Sequence, residues 1–226
     1  MRMRKKKHLN ERLAACGRYW IDTPTVDTDY REAIRQKDYL DLTALFGAER
    51  PLHLEIGCGK GQFVCEAAQR RPDLNFLAVE VNKNVLALAT EKAREMGLNN
   101  VIFLRCGAEV LQKYLRPASV ERIYLNFSCP YPKTTYANRR LTNIRFLEIY
   151  RDLLVPGGEI HQKTDNMHFF EYSIEQYSLA GCRVKAVSLN LHESGFEGNI
   201  VTEYEEKFSS QGYPIYRLEA WFPERG

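Results

Sequence analysis

From residue 52 onward, short apolar runs alternate with stripes of helical spacing. Leu52, Leu54 and Ile56 read as a buried strand over 52–56. Phe63, Val64, Ala67 and Ala68 then recur at helical spacing over about 61–70, and Pro72 stops that helix. The same alternation predicts strands over 74–80, 101–105, 121–127 and 159–163. Helices are expected over about 83–96, 108–114, 139–154 and 167–179. Gly97 sits where the helix over 83–96 ends, and Pro156-Gly157-Gly158 closes the one over 139–154. Two longer strands, Arg183–Leu191 and Pro214–Phe222, surround a polar loop. Strands alternating with helices predict an α/β fold: a mostly parallel sheet with helices on both faces and an antiparallel edge.

Residues 1–50 break the alternation. A basic start is followed by a Thr- and Asp-rich stretch from Asp22 to Tyr30 and a helix-leaning stretch over 31–46. These residues offer too few apolar positions for a core of their own, so 1–50 reads as an extension of a main domain over 51–226. No apolar run reaches the roughly 18 residues of a membrane span, and the basic start lacks the apolar centre of a signal peptide. Six scattered cysteines without metal-binding spacing read as free thiols in a cytoplasmic protein, with no metal site expected. The net charge of +3 says little. Its distribution says more: Arg2, Arg4, Lys5, Lys6 and Lys7 cluster at the start, and Lys133, Arg139 and Arg140 cluster mid-chain. Either solvated surface or an anionic partner such as nucleic acid accounts for them.

The candidate chemistry lies at strand ends. Glu55-Ile56-Gly57-Cys58-Gly59-Lys60-Gly61-Gln62 follows the first strand. The dinucleotide fingerprint needs glycine where Gln62 stands, and no GK[ST] phosphate loop follows. Glu55 opposes a pyrophosphate and suits a cationic ligand group. Glu80, ending the second strand, can accept hydrogen bonds from a ribose diol. A nucleoside with a charged amino acid and sulfonium at its far end fits both, which is similar to the S-adenosylmethionine site of class I methyltransferases. After the third strand, Glu109 either reaches an adenine amino group or is a first-turn helix acid. The loop Asn126-Phe127-Ser128-Cys129-Pro130-Tyr131-Pro132-Lys133 leads to Arg139-Arg140, read as a helix start whose charge opposes the helix dipole and so favours an anionic partner. Lys163-Thr164-Asp165-Asn166 ends a later strand, and Thr202-Glu203-Tyr204-Glu205-Glu206-Lys207-Phe208 occupies the late polar loop, where acids can accept from guanine's donor face.

In order and over almost the whole chain, these stretches resemble the bacterial tRNA (guanine-N7-)-methyltransferase family. That resemblance implies a Rossmann-like, seven-stranded class I methyltransferase fold and methyl transfer from S-adenosyl-L-methionine to a variable-loop guanosine of tRNA, leaving S-adenosyl-L-homocysteine. It implies that the donor meets Glu55, Glu80, Gly107 and Cys129; the turn glycines Gly57, Gly59 and Gly61, with Ala108 and Glu109, are further candidates for the donor. The guanosine would meet Lys133, Asp165, Thr202, Glu203, Tyr204 and Glu205, with Asp165 and the Cys129 position on the catalytic side. Thr135, Tyr136, Asn138, Arg139 and Arg140 would lie along the RNA. The chain is expected to act as a monomer or homodimer.

Three departures stand out against the family pattern. Cys129 replaces the aspartate of the family's D-P-W-P-K loop and Tyr131 its tryptophan; Gly107 replaces an acid; and Tyr136 replaces a histidine in a more basic run. Guanine N7 carries an in-plane lone pair and no proton, so attack needs positioning and no general base. A slower but working methyltransferase is therefore expected. Two other readings remain: a tRNA-binding relative without turnover, and an adenine amino-methyltransferase, since Ser128-Cys129-Pro130-Tyr131 is one residue from that chemistry's loop.

Overall fold

The structure, a computed structural model, describes residues 7–23 and 29–224. Of the N-terminal basic cluster, Arg2 to Lys6 lie outside the described residues. Contacts group the chain into two compact units, Met1–Arg116 and Pro117–Gly226.

The first unit contains α1 (Leu9–Ala15), β1 (Trp20–Asp22), α2 (Tyr30–Ala33), α3 (Leu42–Phe46), β2 (Leu52–Ile56), α4 (Gln62–Arg70), β3 (Asn75–Val79), α5 (Lys83–Glu95), β4 (Val101–Arg105) and α6 (Leu111–Tyr114). Its strands lie in the order β1-β4-β3-β2, all parallel. Every residue of β2 and β3 is buried, as a strand covered on both faces requires. β3 accordingly reads as an apolar run over 76–79, while β2 buries His53 and Glu55 between its apolar residues. Asn82 caps α5 by accepting the Asn84 N–H, and Leu86, Ala87, Ala89 and Ala93 form its buried face. Leu9 and Leu13 of α1 pack with Ala87 and Trp20, while Arg12 grips Glu91 through two hydrogen bonds of 2.6 and 2.5 Å.

The second unit contains β5 (Val120–Asn126), α7 (Ile144–Leu153), β6 (Leu154–Thr164), α8 (Met167–Leu179), β7 (Arg183–Ser188), α9 (Glu203–Ser209) and β8 (Tyr216–Trp221). Its strands run in the order β5-β6-β8-β7. β5 and β6 are parallel; β8 is antiparallel to both β6 and β7. The antiparallel edge expected from the last two apolar runs is present. α8 packs on β6, β7 and β8, and Tyr150 of α7 and Tyr177 of α8 are fully buried.

Four expectations are corrected. The described residues hold eight strands and not seven, because Trp20–Asp22 pairs with Phe103–Arg105. Three residues are too few for a period to show, and Thr23 fixes the exit by donating to Arg105 O at 2.7 Å. The helix expected from 139 begins at Ile144, capped by Asn143; residues 134–139 form a 3₁₀ turn and Arg140 is extended. Pro156-Gly157-Gly158 lies inside β6, at a register shift opposite Val120 and Arg122, and does not form a closing turn. The late polar loop contains α9, capped by the Thr202 hydroxyl, which accepts the Glu205 N–H at 3.0 Å.

Candidate active site

In the first unit, β2, β3 and β4 deliver their C-terminal ends side by side. Glu55 lies buried near the end of β2. The glycine turn that follows is closed on its own neighbours. Gly57 and Cys58 donate to Val79 O at 2.9 and 3.1 Å, Gly59 to Glu80 Oε2 at 3.2 Å, and Gly61 to Cys58 O at 2.9 Å. These amides are spent inside the protein and do not form a phosphate cradle, in keeping with the missing dinucleotide spacing.

Gly57 and Gly59 have φ of +80° and +56°, and a Cβ on either would meet nothing within 4 Å. Both therefore border open space that any side chain would enter. Gly61, also at positive φ, does something else: its Cβ would lie 2.8 Å from Ala89 Cβ. It brings α4 against α5 and sets the turn without facing a ligand.

Glu80 accepts from Gly59 N–H and, at 2.8 Å, from Asn82 N–H. Burial raises its pKa, and backbone N–H groups of Asn82, Gly59 and Val81 oppose the rise. A carboxylate has about four lone-pair sites, so Glu80 keeps acceptor capacity for a ribose diol. Burial also pushes the Cys58 thiol well up, with Glu55 and Glu80 adding to it. Cys58 is thus a neutral, buried group.

At the end of β4, Glu109 folds back over Gly107. A Cβ at Gly107 would lie 2.6 Å from Glu109 Oε2 and 3.8 Å from Val81 Cγ1. A carboxylate therefore stands beside position 107, although that position itself carries no side chain. Ala108 is buried beneath.

In the second unit, the loop after β5 is held in an unusual shape. Phe127 and Tyr131 take φ of +51° and +40°, rare for bulky residues. Phe127 N–H donates to Lys163 O at 2.8 Å. Arg140 spans the loop: its guanidinium donates to Tyr131 O at 3.0 Å and stacks 4.2 Å from the Tyr172 ring centroid. This removes the helix-dipole reason for an anionic partner at Arg140, which is half-buried and committed to the loop. Arg139 lies over the exposed Tyr136 ring at 4.8 Å. Cys129, Lys133, Thr135 and Asn138 are exposed.

Asp165 follows β6, half-buried, with Asn166 capping α8. Lys163 and Glu205 form a buried ion pair at 2.6 Å. Lys163 Nζ also donates to Asn199 Oδ1 at 3.0 Å and Ile200 O at 2.8 Å; Asn199 donates to Glu205 Oε1, and His192 lies 3.2 Å from that oxygen. Glu205 is 0% exposed. Expected at the guanosine, it lies buried in the first turn of α9 among Lys163, Asn199 and His192. Thr202 is buried as the cap, while Glu203 and Tyr204 are exposed. Lys163, Asn199 and His192 were not singled out for this role, and only the strand-end position of Lys163 hinted at one.

A methyltransferase family model matches residues 49–218. A tRNA (guanine-N(7)-)-methyltransferase of Geobacillus kaustophilus is 44% identical over all of this chain and 99% of its own length. The protein of that name from Bacillus subtilis is 42% identical over 97% of this chain and 98% of its own. The chain belongs to the tRNA (guanine-N(7)-)-methyltransferase family. Solved structures of more distant methyltransferases share the fold of this family member. The 16S rRNA methyltransferase KamB matches with TM-score 0.55 and 15% identity over 88% of this chain and 94% of its own. The antibiotic-resistance methyltransferase Kmr matches with TM-score 0.54 and 17% identity over 82% and 93%. The fold is thus the class I, Rossmann-like methyltransferase fold, with eight strands among the described residues. No described helix is long and apolar enough to cross a membrane.

Proposed function

We propose that this tRNA (guanine-N(7)-)-methyltransferase transfers the methyl of S-adenosyl-L-methionine to N7 of the variable-loop guanosine, leaving S-adenosyl-L-homocysteine. The observation that carries the donor assignment is Glu80. It is a half-buried carboxylate tied by two backbone N–H groups beside a glycine turn that opens onto free space. When bound, the donor supplies an electrophilic sulfonium methyl. Glu80 orients its ribose, Glu55 faces its cationic end, and Glu109, standing beside Gly107, takes the place of the family's acid at the adenine.

On the acceptor side, Asp165 and Lys133 orient the guanine, and Thr202, Glu203 and Tyr204 line its other side. Glu205 acts through the position of α9. Cys129 shapes the loop and needs no charge, because N7 loses no proton on attack. Thr135, Tyr136, Asn138 and Arg139 lie along the RNA. Residues 51–226 form the methyltransferase domain, to which residues 20–22 add a strand. The cytoplasm, where tRNA matures, is its place of work.

Purified protein, labelled S-adenosyl-L-methionine and unmodified tRNA test this, with the RNA digested to nucleosides for mass spectrometry. The expected product is N7-methylguanosine, absent with Glu55→Ala. N6-methyladenosine would favour the adenine reading; no methylated nucleoside above the control, with tRNA still bound, would favour a binding-only relative.

A further inference from the structure

The loop that carries Lys133 and Arg139 has little of its own to hold it. Residues 134–139 form a six-residue 3₁₀ segment with no residue buried. Such runs are uncommon beyond three or four residues, because their hydrogen bonds are poorly aligned. Tyr131, just before it, takes a φ of +40°, a strained conformation that persists only where the surroundings fix it. The support comes from α8. The hydroxyl of the half-buried Tyr172 accepts from Asn143 Nδ2 at 2.7 Å and donates to Ala137 O at 3.3 Å. Its ring lies 4.2 Å from the Arg140 guanidinium, which donates to Tyr131 O from Nη2 at 3.0 Å and from Nε at 3.4 Å. Ser173 and Gln176 extend the seam. The buried Thr142 and Ser173 hydroxyls meet at 2.9 Å, and the Ile144 N–H donates to Gln176 Oε1 at 3.0 Å. The same helix is capped by Asn166, directly after Asp165. Tyr172 follows Asp165 by seven residues, about 10 Å along the helix axis.

We propose that Tyr172 is a positioning residue for methyl transfer: through Arg140 and Ala137 it fastens the RNA-facing turn to the helix that follows Asp165, and so sets which guanosine reaches Asp165. The inference rests on the function above. One rigid helix then carries both the grip on the RNA backbone and the group that orients the base. In the transfer, the N7 lone pair forms the new N–C bond while the S–C bond breaks and its electron pair stays on sulfur. No proton moves, so the rate depends on in-line placement of N7, and an error of about 1 Å can cost about 100-fold. In this role Tyr172 touches neither donor nor base. Arg140 acts by its planar fork and stacked face, neither of which a lysine supplies.

The test compares Tyr172→Leu, Tyr172→Phe and Arg140→Lys in the full chain, with unmodified tRNA and S-adenosyl-L-methionine. Single-turnover methylation at saturating tRNA should slow about 10- to 100-fold in Tyr172→Leu and in Arg140→Lys, while affinities for tRNA and donor change less than about threefold. Tyr172→Phe keeps the stacked ring and should recover most of the rate. Combining Tyr172→Leu with Arg140→Lys should slow transfer little beyond either alone, because both break one contact. Mapping of N7-methylguanosine along the tRNA should show methylation spreading to neighbouring guanosines in the Leu variant. Amide hydrogen exchange should quicken over residues 133–143 and not over β6. A wild-type rate in Arg140→Lys, a loss confined to tRNA affinity, or effects that multiply in the double variant would overturn the proposal. Should Tyr172→Leu fail to fold, Arg140→Lys with Tyr172→Phe reads the same contact. Wild-type protein that forms no N7-methylguanosine would refute the function, and the positioning role with it. Normal turnover with an unslowed Arg140→Lys refutes the positioning role alone.

Discussion

The two compact units solve the same problem by different means. In the first, the key carboxylate is fixed by backbone: Glu80 is held by the N–H groups of Gly59 and Asn82. In the second, the key element is fixed by side chains: the Lys163–Glu205 pair, with Asn199 and His192, anchors α9 and so presents Tyr204. Backbone anchoring needs only a turn of fixed spacing. Side-chain anchoring needs partners from distant parts of the chain, and it places two charges where an unpaired one is costly.

Breaking the buried pair should have the largest effect on stability. Lys163→Met leaves Glu205 buried without its cation and should cost about 3–5 kcal/mol in urea denaturation. Lys163→Met combined with Glu205→Leu should recover much of that loss, since neither charge is then stranded. If the single and double variants were equally destabilised, the pair would not be the anchor.

Glu80 sharpens the other side of the comparison. Glu80→Ala should weaken S-adenosyl-L-methionine binding by about 100-fold in calorimetry, from loss of two charge-assisted hydrogen bonds. The melting temperature should move little. Next come the glycines. Gly61→Ala should lose about 2–4 kcal/mol of stability, because its methyl meets Ala89 and its φ is positive. Gly59→Ala carries only the backbone strain, about 1–2 kcal/mol, yet should lose donor affinity because its methyl enters the open space. Equal behaviour of the two would erase the distinction between a packing glycine and a lining one.

The last effect is one of pH. In the second unit, burial and then Arg122 lower the His161 pKa to about 4. The unfolded chain therefore takes the proton first as pH falls. Stability should decline by about 3 kcal/mol between pH 6.5 and about 4, then level off for this group. Glu159 titrates lower: despite its burial, the hydrogen bonds from Lys185 and His161 hold its pKa near 2. Its contribution is present above about pH 4.5 and lost as pH falls toward 2. His161→Asn should flatten the upper slope and also shrink the lower one, since His161 is one of the groups that hold the Glu159 pKa down. Glu159, His161 and Glu219 could be taken for a metal site, but Arg122, Lys185 and Arg217 already neutralise the carboxylates.

What was legible in the chain follows the same division. Glycine spacing, an acid at a strand end and apolar runs are local signals, and they located the glycine turn, the strand-end position of Glu80 and the parallel core. The strand Trp20–Asp22 is too short to carry a period. Arg139 and Arg140 looked like a helix start because nothing local announces that Arg140 stacks on Tyr172. Glu205 looked like a substrate acid within an acidic run, yet its partner Lys163 lies 42 residues earlier. Side-chain pairs of that separation leave no mark in a single sequence.

The most direct test of the account is chemical scission of the RNA. Unmodified tRNA incubated with this protein and S-adenosyl-L-methionine is treated with borohydride and then aniline, which cleaves the chain at N7-methylguanosine. A single cut in the variable loop, dependent on the donor and lost with Glu80→Ala, is the predicted result. Intact RNA, or cuts spread over many guanosines, would contradict it.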